Sequence, residues 1–247
     1  SSVARTYGLS LVDGTATGSG PDYTSTLLNA NFSNGVTISG GTITVPAGVT
    51  SFTVTVPTTS DTIDEANETY TLNVGAASGT GTITDDDAAP TISSVTADTQ
   101  TEGTDLVHTV TLSNASSSST SFAYSLGGGS ATGGGTDYTT PPTFSNGVTL
   151  VAGNLIVPAG VTSFTITVPT TLDTIDEGAS ETYSVSVGGV SNTGTITDDD
   201  NAPTISSVSD ASATEATSIV HTVTLSNASS VATTYSLSLV DGTATGS

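Results

Sequence analysis

Apolar residues in this chain recur at every second position in short runs. Phe164, Ile166 and Val168 alternate with Thr165 and Thr167. Phe52, Val54 and Val56 alternate with Thr53 and Thr55, and Tyr183, Val185 and Val187 with Ser184 and Ser186. Successive side chains of a strand point to opposite faces. The period therefore predicts antiparallel strands with one face on a core and the other, carrying Thr and Ser, in water. Asn34-Gly35, Asn146-Gly147 and Pro158-Ala159-Gly160 interrupt the runs with residues suited to tight turns. Strands spaced by turns at roughly ten residues predict a β-sandwich. No helical period is sustained anywhere.

The pattern repeats. Ala89-Pro90-Thr91-Ile92-Ser93-Ser94-Val95 returns as Ala202-Pro203-Thr204-Ile205-Ser206-Ser207-Val208, a shift of 113 residues. Residues 107–115 return at 220–228, and Gly81-Thr82-Ile83-Thr84-Asp85-Asp86-Asp87 returns at 194–200. A period of that length matches one β-sandwich of ~100 residues. The predicted fold is all-β: tandem antiparallel β-sandwich units of about seven strands. One complete unit, 90–203, is flanked by 1–89, the C-terminal part of a split unit, and 204–247, the N-terminal part of another. Residues 7–19 are nearly repeated by 235–247, so the chain reads as a window on a longer array. Neighbouring repeats of the same array are the first partners expected. Residues 204–228 are also expected to supply, from a neighbouring molecule, the first strands that 1–89 lacks, by strand addition to an open sheet edge.

Composition narrows the function. Twenty-three acidic residues stand against one basic residue, Arg5, for a net charge of −22. Such a chain is not expected to bind nucleic acid or an anionic membrane surface, both of which select positive charge. No apolar run approaches the ~20 residues that cross a bilayer. Cys is absent, so no disulfide can staple the fold. Aromatics are only 5% of the chain, and the thin core they imply leaves room for stabilisation by ions that bind the native state.

The acids are not scattered. Asp173, Asp176, Glu177 and Glu181 are followed by Asp198, Asp199 and Asp200. Earlier, Asp61, Asp64, Glu65 and Glu68 are followed by Asp85, Asp86 and Asp87, again with no Lys or Arg nearby. Two carboxylates ~5 Å apart repel by roughly 3 kcal/mol at an effective dielectric of 20, so a fold that gathers these groups needs cations. Oxygen donors without Cys and with only two His argue against the usual zinc and copper sites. They suit Ca²⁺, which accepts many carboxylates; Mg²⁺, which keeps its waters, is second. Neither stretch fits an EF-hand loop. A merely solvated acidic face is the plain alternative.

From Pro90 to Asp200 the chain resembles the Calx-β domain family. The resemblance rests on Glu102-Gly103, on Ala131-Thr132-Gly133-Gly134-Gly135-Thr136-Asp137-Tyr138, and on Val157-Pro158-Ala159-Gly160-Val161-Thr162-Ser163-Phe164. It continues through the acidic stretch from Asp173 and ends at Gly194-Thr195-Ile196-Thr197-Asp198-Asp199-Asp200. It implies a sandwich that gathers several calcium ions at one end. In the complete unit the ligands would be Glu102, Asp137, Asp173, Glu177, Glu181, Asp198, Asp199 and Asp200, with Asp176 beside them. In the split unit they would be Asp22, Asp61, Glu65, Glu68, Asp85, Asp86 and Asp87, with Asp64 beside them. The early Glu has no counterpart there, and Glu215 of another chain is the natural donor. Residues 24–41 and 140–156 exceed the usual family loop and are expected to form an extra hairpin. With the near-absence of Lys and Arg, they look like repeats of giant secreted bacterial RTX adhesins.

His108 and His221 alternate with Val110-Leu112 and Val223-Leu225 and read as partly buried structural residues. No Gly-x-Ser-x-Gly elbow occurs, and one His per unit without Cys gives a nucleophilic triad no support. The chain is expected to be non-enzymatic: a calcium-stiffened spacer of a secreted bacterial surface adhesin. A carbohydrate- or protein-binding module is the alternative, and a calcium sensor a more distant one.

Overall fold

The structure is a computed structural model and describes residues 1–178 and 180–244. Ala179 of the acidic stretch and Thr245-Gly246-Ser247 of the terminal overlap lie outside the described residues. Apart from one 3-10 turn, Asn29–Asn31, the regular elements are strands. The chain divides into two compact units. The first comprises Ser1–Thr91, Ser113–Thr120 and Ala159–Thr162; the second comprises Ile92–Leu112, Ser121–Pro158 and the chain from Ser163 onward.

The sandwich of the second unit is built of two sheets. The larger runs in the order Thr149–Val151, Asn154–Val157, Thr120–Gly127, Glu181–Val187, Val190–Thr197, Asp98–Thr101. The smaller runs Thr143–Phe144, Ser163–Val168, Leu106–Leu112, Ile92–Val95. The alternating positions point inward as expected: Phe164, Ile166, Val168, Tyr183, Val185 and Val187 are all buried, with Leu106, Val110 and Leu112 against them. Thr149–Val151 and Asn154–Val157 form a tight hairpin, so the long segment 140–156 does carry one. His108 is fully buried. Its Nδ1 lies 2.7 Å from the Thr96 carbonyl and its Nε2 2.9 Å from the Tyr183 hydroxyl. A carbonyl only accepts, so Nδ1 carries the proton and Nε2 accepts from Tyr183. The histidine is structural. Gly194 sits under the Tyr183 ring, where a Cβ would meet Cζ at 2.3 Å; Gly81 sits likewise under Tyr70 at 2.2 Å.

The first unit has one sheet of five strands, in the order Thr37–Ser39, Thr42–Val45, Arg5–Asp13, Glu68–Val74, Ala77–Ile83. The strand expected at residues 52–56 does not form. Only the isolated bridges Phe32↔Val54 and Tyr23↔Thr58 occur there. The reason is visible in the second unit, where the equivalent strand Ser163–Val168 pairs with Leu106–Leu112 over six residues. Residues 1–91 contain no counterpart of Leu106–Leu112, so 52–56 has no ladder to join. Phe52, Val54, Val56, Leu72 and Val74 consequently stay half-buried around a core of Leu9, Leu27, Val36, Ile43 and Val45.

Beyond the complete sandwich, Ile205–Val208 pairs with Val223–Leu225 as a short hairpin with its apolar residues exposed. His221 is exposed rather than partly buried, because this hairpin has no opposing sheet. Each unit also contains one parallel two-residue pairing: Ile63–Asp64 with Ala115–Ser116 in the first, and Ile175–Asp176 with Ala228–Ser229 in the second.

Candidate metal centre

Strand register brings the acids to one end of the complete sandwich. Asp98–Thr101 runs parallel to Val190–Thr197, with Thr101 opposite Thr197. The residues that follow each strand therefore emerge at the same level. The Glu102 amide donates to the Thr197 carbonyl at 3.0 Å, which sets Glu102 beside the Asp run. Glu181 opens the adjacent antiparallel strand opposite Ile196. Asp137 is held by the Tyr138↔Thr170 bridge and accepts the Thr171 amide on its carbonyl at 3.0 Å.

Two groups of three carboxylates result: Glu102 with Asp199 and Asp200, and Asp137 with Glu177 and Glu181. In each, ligand-capable atoms lie within 4.8 Å of one another. The remaining acids organise the loops. Asp198 Oδ2 accepts the amides of Glu177 (3.1 Å) and Gly178 (3.2 Å), and its Oδ1 accepts that of Asp200 (3.1 Å). Asp173 Oδ1 accepts the Ile175 amide at 2.7 Å. Asp137 Oδ2 also accepts the Thr132 amide.

The split unit repeats half of this. Asp22, Glu65 and Glu68 form the third group within 4.8 Å. They stand where Asp137, Glu177 and Glu181 stand, on the same framework: a Tyr23↔Thr58 bridge, and Asp22 accepting the Thr59 amide at 2.9 Å. Asp61, Asp85, Asp86 and Asp87 line the same pocket of about 40 Å³. Small-molecule sites run to about 300–1,000 Å³, so the pocket suits ions or waters rather than a sugar. Asp61 Oδ1 accepts the Ile63 amide at 2.8 Å, as Asp173 does for Ile175. No second group forms around Asp86 and Asp87 among the described residues. Glu215 is exposed in a turn and belongs to none of the three groups.

Asp176 and Asp64 are placed differently from their neighbours. Asp176 is buried, and its Oδ2 accepts the Ser229 hydroxyl at 2.7 Å. Asp64 Oδ2 accepts the Ser116 hydroxyl at 2.7 Å. Each sits in a two-residue strand and belongs to none of the three groups. Ser116 and Ser229 each close an Asn-Ala-Ser triplet, and the two triplets are equivalent at the 113-residue shift.

The clusters are electrostatically loaded. Glu102 is pushed up to about 7, first by burial, then by the hydrogen-bonding carboxylate of Asp199 and the charges of Asp173 and Asp200. Glu181 is also raised to about 7, by burial and then by Asp137 and Glu177. Glu177, Glu65 and Glu68 are raised for the same leading reason, burial, with acidic neighbours adding to it.

The chain belongs to the Calx-beta domain family, whose model matches residues 4–47, 39–98 and 85–196. No curated protein matches it. Calx-beta domains are calcium-binding, non-enzymatic β-sandwich modules, so the residues present can be tested against that ion. They fit. Glu102 Oε1, Glu181 Oε2 and Asp200 Oδ2 are buried without a hydrogen-bond partner. A buried carboxylate oxygen without a partner is costly, and all three belong to residues of the two groups. The donor set is oxygen throughout, as a hard cation requires. Glu102, Asp199 and Asp200 would hold one site, and Asp137, Glu177 and Glu181 another. Asp22, Glu65 and Glu68 would hold the equivalent of the latter in the split unit.

Proposed function

We propose that this chain is a run of calcium-stiffened extender repeats from a long, secreted bacterial surface adhesin, one that holds a distal binding module away from the cell. The observation that carries the proposal is the recurrence of one joint beside one site. Asp64 accepts a hydrogen bond from the Ser116 hydroxyl at 2.7 Å and Asp176 one from the Ser229 hydroxyl at 2.7 Å, each across the same parallel pairing. Each lies within the acidic loop that contributes Glu65 and Glu68, or Glu177 and Glu181. The acidic loop that would gather cations in each repeat thus also pairs with the two-residue strand at Ala115–Ser116 or Ala228–Ser229. A spacer requires such repetition, whereas a specific binding surface needs to occur only once.

Calcium supplies the positive charge that the clusters lack. With that charge in place, the loops that present Asp64 and Asp176 are held, and so are the joints. The low calcium of a cytoplasm leaves the carboxylates in mutual repulsion and the chain loose enough to export; calcium outside the cell sets it. Calx-beta domains are often extracellular. No helix among the described residues is long and apolar enough to cross a membrane. The near-absence of Lys and Arg and the long 24–41 and 140–156 segments favour an RTX-type adhesin as the parent.

Small-angle scattering of the 247-residue chain, with calcium and with chelator, tests the mechanical claim. A single narrow set of dimensions in calcium that broadens on chelation is expected. Unchanged dimensions with bound calcium would keep the ion and remove the rod.

A further inference from the structure

The edge strands of the complete sandwich are guarded unequally. Ile92–Val95 follows Pro90 and carries a register shift after Ile92. Asp98–Thr101 carries Asp98 and leads into Glu102, and Thr143–Phe144 follows Pro141-Pro142. Charge, proline and bulges are devices that stop an edge from adding another strand. Thr149–Val151 has none of them. It is uncharged, free of proline and in unbroken register with Asn154–Val157. Leu150 and Val151 are 38% and 54% exposed.

The same edge is built in the first unit. Thr37–Ser39 pairs with Thr42–Val45 across an equivalent two-residue turn. There φ is +53° and +75° at Gly40 and Gly41, against +49° and +82° at Ala152 and Gly153. Positive φ at both central residues gives the turn whose twist matches that of the flanking strands. An open apolar groove lies beside each edge. One, of about 450 Å³, runs along Tyr124, Leu126, Pro141, Pro142 and Leu150. The other, of about 330 Å³, runs along Leu9, Leu11, Leu27 and Ile38. Edge and groove thus belong to the repeat.

Charge selects what can approach. At a net −22, two copies of this chain repel each other through their acidic surfaces. Residues 23–60 and 138–172, however, contain no Asp, Glu, Lys or Arg, and each bare edge lies within one of these spans. In the complete sandwich the three strands nearest the edge, Thr149–Val151, Asn154–Val157 and Thr120–Gly127, are all uncharged. This flank is where a second acidic copy meets the least repulsion.

We propose that Thr149–Val151 pairs antiparallel with the same strand of a second copy of this chain, and Thr37–Ser39 likewise, joining the copies laterally, sheet edge to sheet edge. The register follows from the faces. Leu150 stands opposite the buried Leu155, so it faces inward, and it is the middle residue of its strand. A two-fold pairing that keeps inward side chains on one face is centred on it, with Leu150 opposite its own copy and Thr149 opposite Val151. Ile38, half-buried and opposite the buried Ile43, takes the same place in the other edge. A three-residue edge makes few hydrogen bonds, so one contact is weak; one edge per repeat lets linked repeats add their contacts. The pairing rests on neither calcium nor the spacer role.

The test is the mass of the 247-residue chain by light scattering in calcium, up to millimolar concentration and over a range of NaCl. The wild type should associate, and more tightly as salt screens the acids. Thr149→Glu with Val151→Glu sets like charges opposite one another across the pairing. Combined with Thr37→Glu and Ser39→Glu, it should weaken association at least tenfold. All four side chains are exposed in the free chain, so the melting temperature should stay near that of the wild type. Because the chain lacks Cys, Leu150→Cys reports the register. In air it should form a disulfide-linked dimer at least tenfold faster than Ser121→Cys, which is also exposed on a strand of the same sheet. A constant monomeric mass, association undiminished in the fourfold variant, or association that falls with salt would overturn the pairing. Equal crosslinking at the two positions would overturn the register centred on Leu150.

Discussion

Residues 92–112 and 205–225 share much of their sequence and fold into the same hairpin, yet only the first is buried. Val110 is fully buried and Val223 is 53% exposed. The hairpin's shape is local, set by alternating apolar residues, a shared register shift and a shared turn. Its burial is not local, because it depends on Ser163–Val168 lying opposite. Residues 52–56 teach the converse. They carry the alternation of a strand and pair only through an isolated bridge at Val54, because their partner is missing. Strand propensity here is a property of the pair.

The largest effect that would break this comparison is in the core. Val168→Ala should cost about 2 kcal/mol and its counterpart Val56→Ala less than about 1 kcal/mol, because only the first leaves a closed cavity. Chemical denaturation of the calcium-loaded variants measures both, and equal losses would mean that the split unit is already closed. Next come the ligands. Asp199→Ala should weaken calcium binding by roughly tenfold or more, since charge count sets affinity. Asp210→Ala, outside the acidic pattern, should leave it unchanged. Titration calorimetry separates the two, and similar losses would mean the cluster is misassigned.

A pH effect follows. Glu102 and Glu181 sit near 4.5 when free and are raised to about 7 in the ion-free fold. The folded chain therefore holds protons that the unfolded chain releases. That stabilisation is complete below about 4.5 and is lost as pH rises through about 7. In chelator the protein should melt lower at pH 8 than at pH 5. In calcium the trend should reverse, because the ligands must be deprotonated. A chelated protein that melts higher at pH 8 would contradict the strain assigned to the clusters. The smallest effect is at the joints. Ser229→Ala and Ser116→Ala should each cost about 1.5 kcal/mol, the low end for one hydrogen bond to a charged carboxylate. Unequal costs would show that the two joints differ.

Much of the fold was legible in the sequence. Phe164, Ile166 and Val168 alternate and are buried, and the 113-residue shift aligns equivalent strands. The gathering of acids at strand ends was legible too. Their division was not: Glu102 joins Asp199 and Asp200 while Asp137 joins Glu177 and Glu181, because that grouping follows from sheet register between distant strands. Asp176 was illegible for a different reason. It neighbours Glu177 and shares its chemistry, but a two-residue strand turns it to Ser229. The strand at 52–56 was misjudged because alternation reports which face is apolar, not whether a partner is present.

The most direct test of the account is thermal melting of the 247-residue chain in millimolar calcium and in excess chelator. Several sites filled well above their dissociation constants contribute roughly 3 kcal/mol each, so calcium should raise the melting temperature by about 10 °C or more. Identical melting temperatures in the two conditions would contradict a fold held together by cations at its carboxylate clusters.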